Sequence, residues 1–158
     1  FKVDILFGDA ATVTVVKKVN IKEKKLKLIT SSFYTEGSSH RSISKSNNKL
    51  NLDGKNVMKF CSTTVPKFIK EFLNKNKISI KEIDKFYFHQ GSKYIIDILS
   101  KKLNLDKKQK PYCIEDLGNT VSSSLPISME KQNFKKNNKI IVCGFGVGLS
   151  ISIGYFKK

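Results

Sequence analysis

Arginine is nearly absent from the chain: Arg41 stands alone among 30 basic residues, set against 13 acidic ones. Base and phosphate recognition leans on the guanidinium fork, which grips its target through two parallel hydrogen bonds. A lysine surface therefore argues against sequence-specific nucleic-acid binding. Cysteine is scarce too. Three scattered thiols, an odd number, build neither a disulfide framework nor a metal pattern, and they suit a reducing cytoplasm. No stretch qualifies as a membrane span. The charge-free run 140–156 carries four glycines and turns to period-two alternation, whereas a span needs about 20 mainly apolar residues. A charged-then-apolar leader is missing, and the first residue is Phe1 rather than Met. We expect no signal peptide, and a natural polypeptide that starts further upstream.

What remains is the composition of a globular protein. At 158 residues, 39% hydrophobic and 27% charged, the chain reads as a single domain over residues 1–158 with a real core. Its net charge of +17 has two readings. Charge runs are commonly solvated faces, and lysine, asparagine and isoleucine are what an AT-rich genome encodes. Alternatively, a basic surface steers an acidic macromolecule towards a site.

Hydrophobic periodicity alternates between strand and helix. The β-branched residues from Ala11 to Val16 predict a strand after the Phe7-Gly8-Asp9 turn, and Lys25 to Tyr34 predicts a second. The Ser-, Asn- and Gly-rich stretch 35–51 reads as a surface loop. Val57, Phe60, Cys61, Val65, Phe68, Ile69, Phe72 and Leu73 recur at helical spacing; Pro66 should kink or break that helix, and Asn74-Lys75-Asn76 should end it. A short helical approach over 78–84 leads to a strand from Lys85 to His89, and Tyr94, Ile95, Ile98, Leu99 and Leu103 stripe the next helix. Tyr112 to Ile114 is a short strand candidate, and Thr120 to Gln132 a helix containing Pro126. Lys139 to Cys143 and Leu149 to Ile153 then form a hairpin across Gly144-Phe145-Gly146-Val147-Gly148. Helices between apolar strands predict an α/β fold with a mixed sheet flanked by helices.

Polar chemistry collects at the ends of these elements. His89 closes the apolar run Phe86-Tyr87-Phe88, where a histidine either packs and hydrogen-bonds or, given a partner, catalyses. Asn119 follows Gly118 at the head of a predicted helix, as an N-cap or as a positioned amide. Gly144-x-Gly146-x-Gly148 lacks the spacing of a dinucleotide fingerprint and leads into a strand. It reads as a tight hairpin, or as a turn whose backbone N–H groups converge on an oxyanion. Cys61, Cys113 and Cys143 sit in apolar stretches as buried small hydrophobes, not at a helix start with a base in reach.

Five motifs occur in order: Phe7-Gly8-Asp9-Ala10-Ala11, Asp53-Gly54 to Phe60, Ile83-Asp84 through His89-Gln90, Gly118-Asn119-Thr120, and Gly144 to Gly148. Together they resemble the C-terminal half of a β-ketoacyl-acyl-carrier-protein synthase III, over essentially the whole chain. The resemblance implies the C-terminal half of a thiolase-like fold, with the nucleophilic cysteine in an N-terminal half absent from this chain. It implies decarboxylative Claisen condensation of an acyl thioester with malonyl-carrier protein, by an intact enzyme that is a cytoplasmic homodimer; the chain alone should be inactive. No metal and no resident cofactor is implied, only coenzyme A or phosphopantetheine thioesters as substrates and an acyl carrier protein as partner. His89, neutral and protonated on Nε2, and Asn119 would donate to the enolate oxygen. The turn of Gly146, Val147 and Gly148 would hold the acyl oxyanion through the Val147 N–H. Gln90, Ser92, Lys93 and Tyr94 would contact substrate or carrier. The family's His-Gln-Ala-Asn is here His89-Gln90-Gly91-Ser92, and Tyr94 replaces an arginine often found there. The same resemblance leaves two other outcomes: acyl transfer to another acceptor, and a non-catalytic module that binds an acyl carrier protein.

Overall fold

The most apolar runs of the chain become neighbouring strands in the computed structural model, which describes residues 3–18, 25–130 and 134–158. In chain order the elements are β1 (Lys27–Thr35), β2 (Ile43–Ser46), β3 (Lys49–Leu52), α1 (Gly54–Lys59), α2 (Val65–Lys75), β4 (Lys85–Phe88), α3 (Lys93–Leu103), α4 (Ser124–Glu130), β5 (Lys139–Gly146) and β6 (Ser150–Lys157). One sheet has the order β1-β6-β5-β4. β4 runs parallel to β5, with Phe88 opposite Cys143, and the β5–β6 and β6–β1 pairs are antiparallel. The predicted mixed α/β architecture and its closing hairpin are thus present.

Alternation along the strands decides what each face meets. Phe86 and Phe88, then Ile141, Cys143 and Phe145, then Ile151, Ile153 and Tyr155 share one core with Phe60, Val65, Ile69, Phe72, Ile96 and Leu99 from the helical side. Burying each such large side chain contributes about 1.5–3 kcal/mol, so this one interface carries the fold. Tyr87 points the other way, edge-on to Phe134 at 6.0 Å. Its buried phenol oxygen has no partner among the described residues, and burial pushes its pKa up to about 12.

Asp53 starts the helical layer by accepting the Asn56 N–H at 3.0 Å. The expected disturbance at Pro66 takes the form of a π segment, Phe60–Thr64, between α1 and α2. Proline has no N–H to return to the preceding turn, and the wider π turn absorbs that mismatch. As expected, α2 is capped at Asn76.

Four local readings need correction. Residues 11–16 form no strand; Val13, Val15 and Val16 are 85–92% exposed, because among the described residues no strand lies beside them to complete a ladder. The stretch 35–51 is more ordered than a loop, since β2 and β3 pair as a hairpin across Asn47-Asn48. Both asparagines have left-handed φ (48° and 57°), the requirement of a two-residue turn between twisted strands. Residues 112–114 are irregular, held by a side chain rather than a ladder: the Cys113 N–H donates to Gln90 Oε1 at 3.2 Å. The helix expected from Thr120 begins instead as a 3-10 turn, Val121–Ser123, before α4; Gln132 lies outside the described residues. No helix among the described residues is long and apolar enough to cross a membrane, and none of their His, Cys, Asp or Glu side chains group as metal ligands.

Candidate active site

Parallel pairing of β4 with β5 carries both strands to a common carboxyl end, where His89 and the glycine turn emerge together. The His89 N–H donates to the Cys143 carbonyl at 2.9 Å, extending the ladder one residue past β4. Its ring stands edge-on to Phe145, with centroids 5.6 Å apart and planes at 82°. Nδ1 lies 2.9 Å from Ser124 Oγ at the start of α4. Burial lowers the His89 pKa, opposed by a hydrogen bond with the Val121 backbone, and so favours the neutral ring.

Asn119 is positioned from a different part of the chain. Its N–H donates to the Leu6 carbonyl at 2.9 Å, and its carbonyl accepts the Gly8 N–H at 3.1 Å, a parallel bridge with Phe7. The approach is close enough that a Cβ on Gly8 would lie 1.8 Å from the Leu117 oxygen. Gly118 enters this loop with φ +66°, a left-handed conformation that favours glycine. The Val121 N–H donates to Asn119 Oδ1 at 2.9 Å, which fixes the amide with Nδ2 as the outward donor. A Cβ built on Gly91 would lie 3.2 Å from His89 Nε2 and 4.0 Å from Asn119 Nδ2. The two nitrogens therefore lie close to one point beside Gly91, the gap that an alanine methyl would fill.

The other expected site residues fall into distinct places. Gly146 closes β5, one residue after Phe145, and Gly148 turns the chain with φ +137°, two residues before Ser150; Val147 between them is 67% exposed. A groove of about 340 Å³ lies beside this turn, lined by Phe33, Thr35, Gly144, Phe145, Gly146 and Ser150 among others. Gln90 is not at the gap. It is buried, and its amide is spent on backbone: Nε2 donates to the Phe88 carbonyl at 2.9 Å and Oε1 accepts the Cys113 N–H. Gln90 thus turns inward, away from the surface on which Ser92, Lys93 and Tyr94 lie. Ser92 caps α3, accepting the Ile95 N–H at 3.2 Å. Lys93 pairs with Glu115 at 3.3 Å and sits over the Tyr112 ring, while Tyr94 is exposed beside it. Ser124 and Gly8, which hold His89 and Asn119, were not among the residues expected from sequence. A serine within a run of three, and a glycine in a turn, carry no local mark of such long-range contacts.

Burial accounts for two of the three thiols; Cys113, expected to be buried, is only part-buried because residues 112–114 lie outside the sheet. Cys61 and Cys143 are buried and free; desolvation pushes Cys61 up to about 12 and Cys143 higher still. Neither is a competent nucleophile at neutral pH.

Comparison with known proteins places this geometry. A β-ketoacyl-[acyl-carrier-protein] synthase III of Clostridium perfringens is 33% identical over 167 residues, covering 92% of this chain and 50% of that protein. The corresponding protein of Lactococcus lactis is 26% identical over 163 residues, with the same two coverages. The chain thus spans about half the length of the curated relatives it matches. Among solved structures, the 3-oxoacyl-[acyl-carrier-protein] synthase III of Aquifex aeolicus superposes with a TM-score of 0.79 at 24% identity, over 87% of this chain and 46% of that one. The Thermus thermophilus enzyme gives 0.79 at 18% identity, over 86% and 47%. At these identities the superpositions speak for the fold alone. Residues 73–158, which contain β4, β5, β6, His89 and Asn119, match the family described as 3-oxoacyl-[acyl-carrier-protein (ACP)] synthase III C terminal, and it is to this family that the chain belongs.

Proposed function

We propose that this chain is the C-terminal part of an enzyme that condenses an acyl thioester with malonyl-carrier protein, losing carbon dioxide. The observation that supports this reading is the proximity of His89 Nε2 and Asn119 Nδ2, which lie 3.2 and 4.0 Å from one point beside Gly91. Decarboxylation of a malonyl thioester moves an electron pair from the breaking C–C bond onto the thioester oxygen. Donors fixed where that charge develops stabilise the transition state more than the ground state. Asn119 offers its amide N–H, and His89 donates whenever Nε2 carries a proton. The Val147 N–H, in the turn with Gly146 and Gly148, binds the acyl oxyanion formed when the enolate attacks the acyl group. The acyl group is carried by a cysteine outside this chain: Cys61 and Cys143 are buried with raised pKa values, and Cys113, though only part-buried, lies in the irregular stretch 112–114 and not at a helix start. The reaction needs no resident cofactor or metal. An acyl carrier protein, being acidic, is drawn to a chain of net charge +17, with Lys93, Tyr94 and Ser92 near its point of entry.

The test is decarboxylation of a malonyl thioester by the protein at its full natural length. Losing one oxyanion donor typically lowers the rate by about 10²–10³. His89→Ala and Asn119→Ala should each show a loss of that size with folding intact. Unchanged rates in both variants would remove the proposal and leave a carrier-binding module.

A further inference from the structure

Three groups crowd one oxygen behind His89. Ser124 Oγ lies 2.8 Å from the Val121 carbonyl oxygen, 2.9 Å from His89 Nδ1 and 3.2 Å from the Gln90 backbone nitrogen, and Ser124 is 2% exposed. A hydroxyl has one hydrogen to give and two lone pairs to receive. The Val121 carbonyl, whose backbone also opposes the fall in the His89 pKa, can only accept and the Gln90 N–H can only donate, so of the three contacts made by this oxygen the one with His89 alone is free to run either way.

Suppose the hydroxyl gave its hydrogen to His89. Two oxygens would then face each other at 2.8 Å with no hydrogen between them, inside a site with little water to relieve the repulsion. In the reverse arrangement every contact is a hydrogen bond. Ser124 donates to Val121 and receives both the Gln90 N–H and the His89 Nδ1–H. Val121 itself is an independent sign that this arrangement is built. It is a β-branched residue with φ +51°, a conformation seldom held unless its surroundings over-determine it. That turn aims its N–H at Asn119 Oδ1 and its carbonyl at Ser124, serving both polar groups of the site at once.

We propose that Ser124 is a positioning residue that fixes the tautomer of His89, keeping the ring proton on Nδ1 and leaving the Nε2 lone pair turned towards the gap shared with Asn119. This reverses the expectation of an Nε2–H ring. It rests on, and deepens, the reading of that gap as the reacting site. Neutral His89 meets an incoming group as an acceptor, beside the Asn119 N–H as a donor. A group that brings its own hydrogen, such as a thiol, satisfies both. His89 becomes a second donor to an anionic oxygen only after Nε2 has taken that hydrogen as a proton, leaving its electron pair on sulfur.

The experiment is long-range ¹H–¹⁵N correlation of the imidazole in the full-length protein labelled at histidine, at a pH where the ring is neutral. His89→Gln identifies the signals. The wild type should show a protonated, pyrrole-like Nδ1 and a bare, pyridine-like Nε2. Ser124→Ala, which leaves the Val121 carbonyl as a competing acceptor beside the ring, should still shift the proton from Nδ1 towards Nε2, the form an unrestrained imidazole prefers. A wild-type ring protonated on Nε2, or a Ser124→Ala ring still protonated on Nδ1, would overturn the proposal. The wild-type spectrum decides even if Ser124→Ala does not fold. The tautomer is read whether or not the protein condenses anything, so this proposal and the proposed reaction fail separately.

Discussion

Alanine at position 8 tests how Asn119 is held. Its Cβ would stand 1.8 Å from the Leu117 oxygen, where real Cβ atoms keep at least 3.0 Å, and the obstacle is backbone that cannot rotate aside. Two responses compete. If the contact stays, the site is overpacked at a cost of about 1–3 kcal/mol, with its hydrogen bonds strained in addition. If the segment around Phe7 lifts away, the Gly8–Asn119 and Asn119–Leu6 hydrogen bonds are lost, at about 1 kcal/mol each. Lifting is the route open to the segment, because Leu6 and Phe7 are already 44% and 39% exposed and the residues from Asp9 onward are exposed. Gly8→Ala should therefore cost about 2 kcal/mol in urea unfolding with an unchanged m-value. The Asn119 amide should exchange roughly 30-fold faster, while amides of β5 and β6 slow or quicken only with global stability. Full protection of the Asn119 amide, or a loss below about 0.5 kcal/mol, would show that this bridge does not hold the site.

Further predictions follow from burial and backbone geometry. Cys61 and Cys143 should resist a thiol reagent in the folded protein at pH 8 and react on unfolding; prompt labelling of either without unfolding would contradict their burial. His89, with its folded pKa held below 6.5, should contribute no pH dependence above that value. Stability should fall as pH drops below 6.5, where the unfolded ring binds a proton that the folded one does not, and level off once the folded ring protonates. The wild-type minus His89→Gln stability difference should carry this slope, and a flat difference would refute it. Val121→Asn should raise urea stability by about 1 kcal/mol, since asparagine tolerates the left-handed region and the exposed valine side chain packs little; a loss would mean that the valine is held by contacts rather than strained.

Sequence reading succeeded where the signal was local and failed where it was spatial. The run Phe86 to Phe88 and the alternation of β6 announce strands because their own side chains define the buried face. Gly118-Asn119-Thr120 announces a turn at a helix head because glycine and asparagine are specific to that geometry. Ser124 stands among three consecutive serines, and only the approach of a helix start to a strand end 35 residues away picks it out. Residues 11–16 show the opposite error: high β propensity is a readiness to pair, and pairing needs a neighbour. The β2–β3 hairpin was legible in Asn47-Asn48, but short polar strands on either side gave no hydrophobic alternation to support it.

The stretch from Ala11 to Val16 also bears on how the chain behaves in solution. It has no charge, no proline and alternating exposed valines, the composition of segments that stack in register into dry, interdigitated sheets. Lys17 and Lys18 follow at once, and in an in-register stack each would lie one strand spacing from its copies, so their mutual repulsion opposes growth. Fibril formation by this chain is thus a contest between a valine ladder and two cations. Salt weakens only the second, since the Debye length shrinks from about 10 Å at 0.1 M to about 3 Å at 1 M. High ionic strength, which relieves the repulsion of a chain with net charge +17, is for this segment the condition that favours assembly.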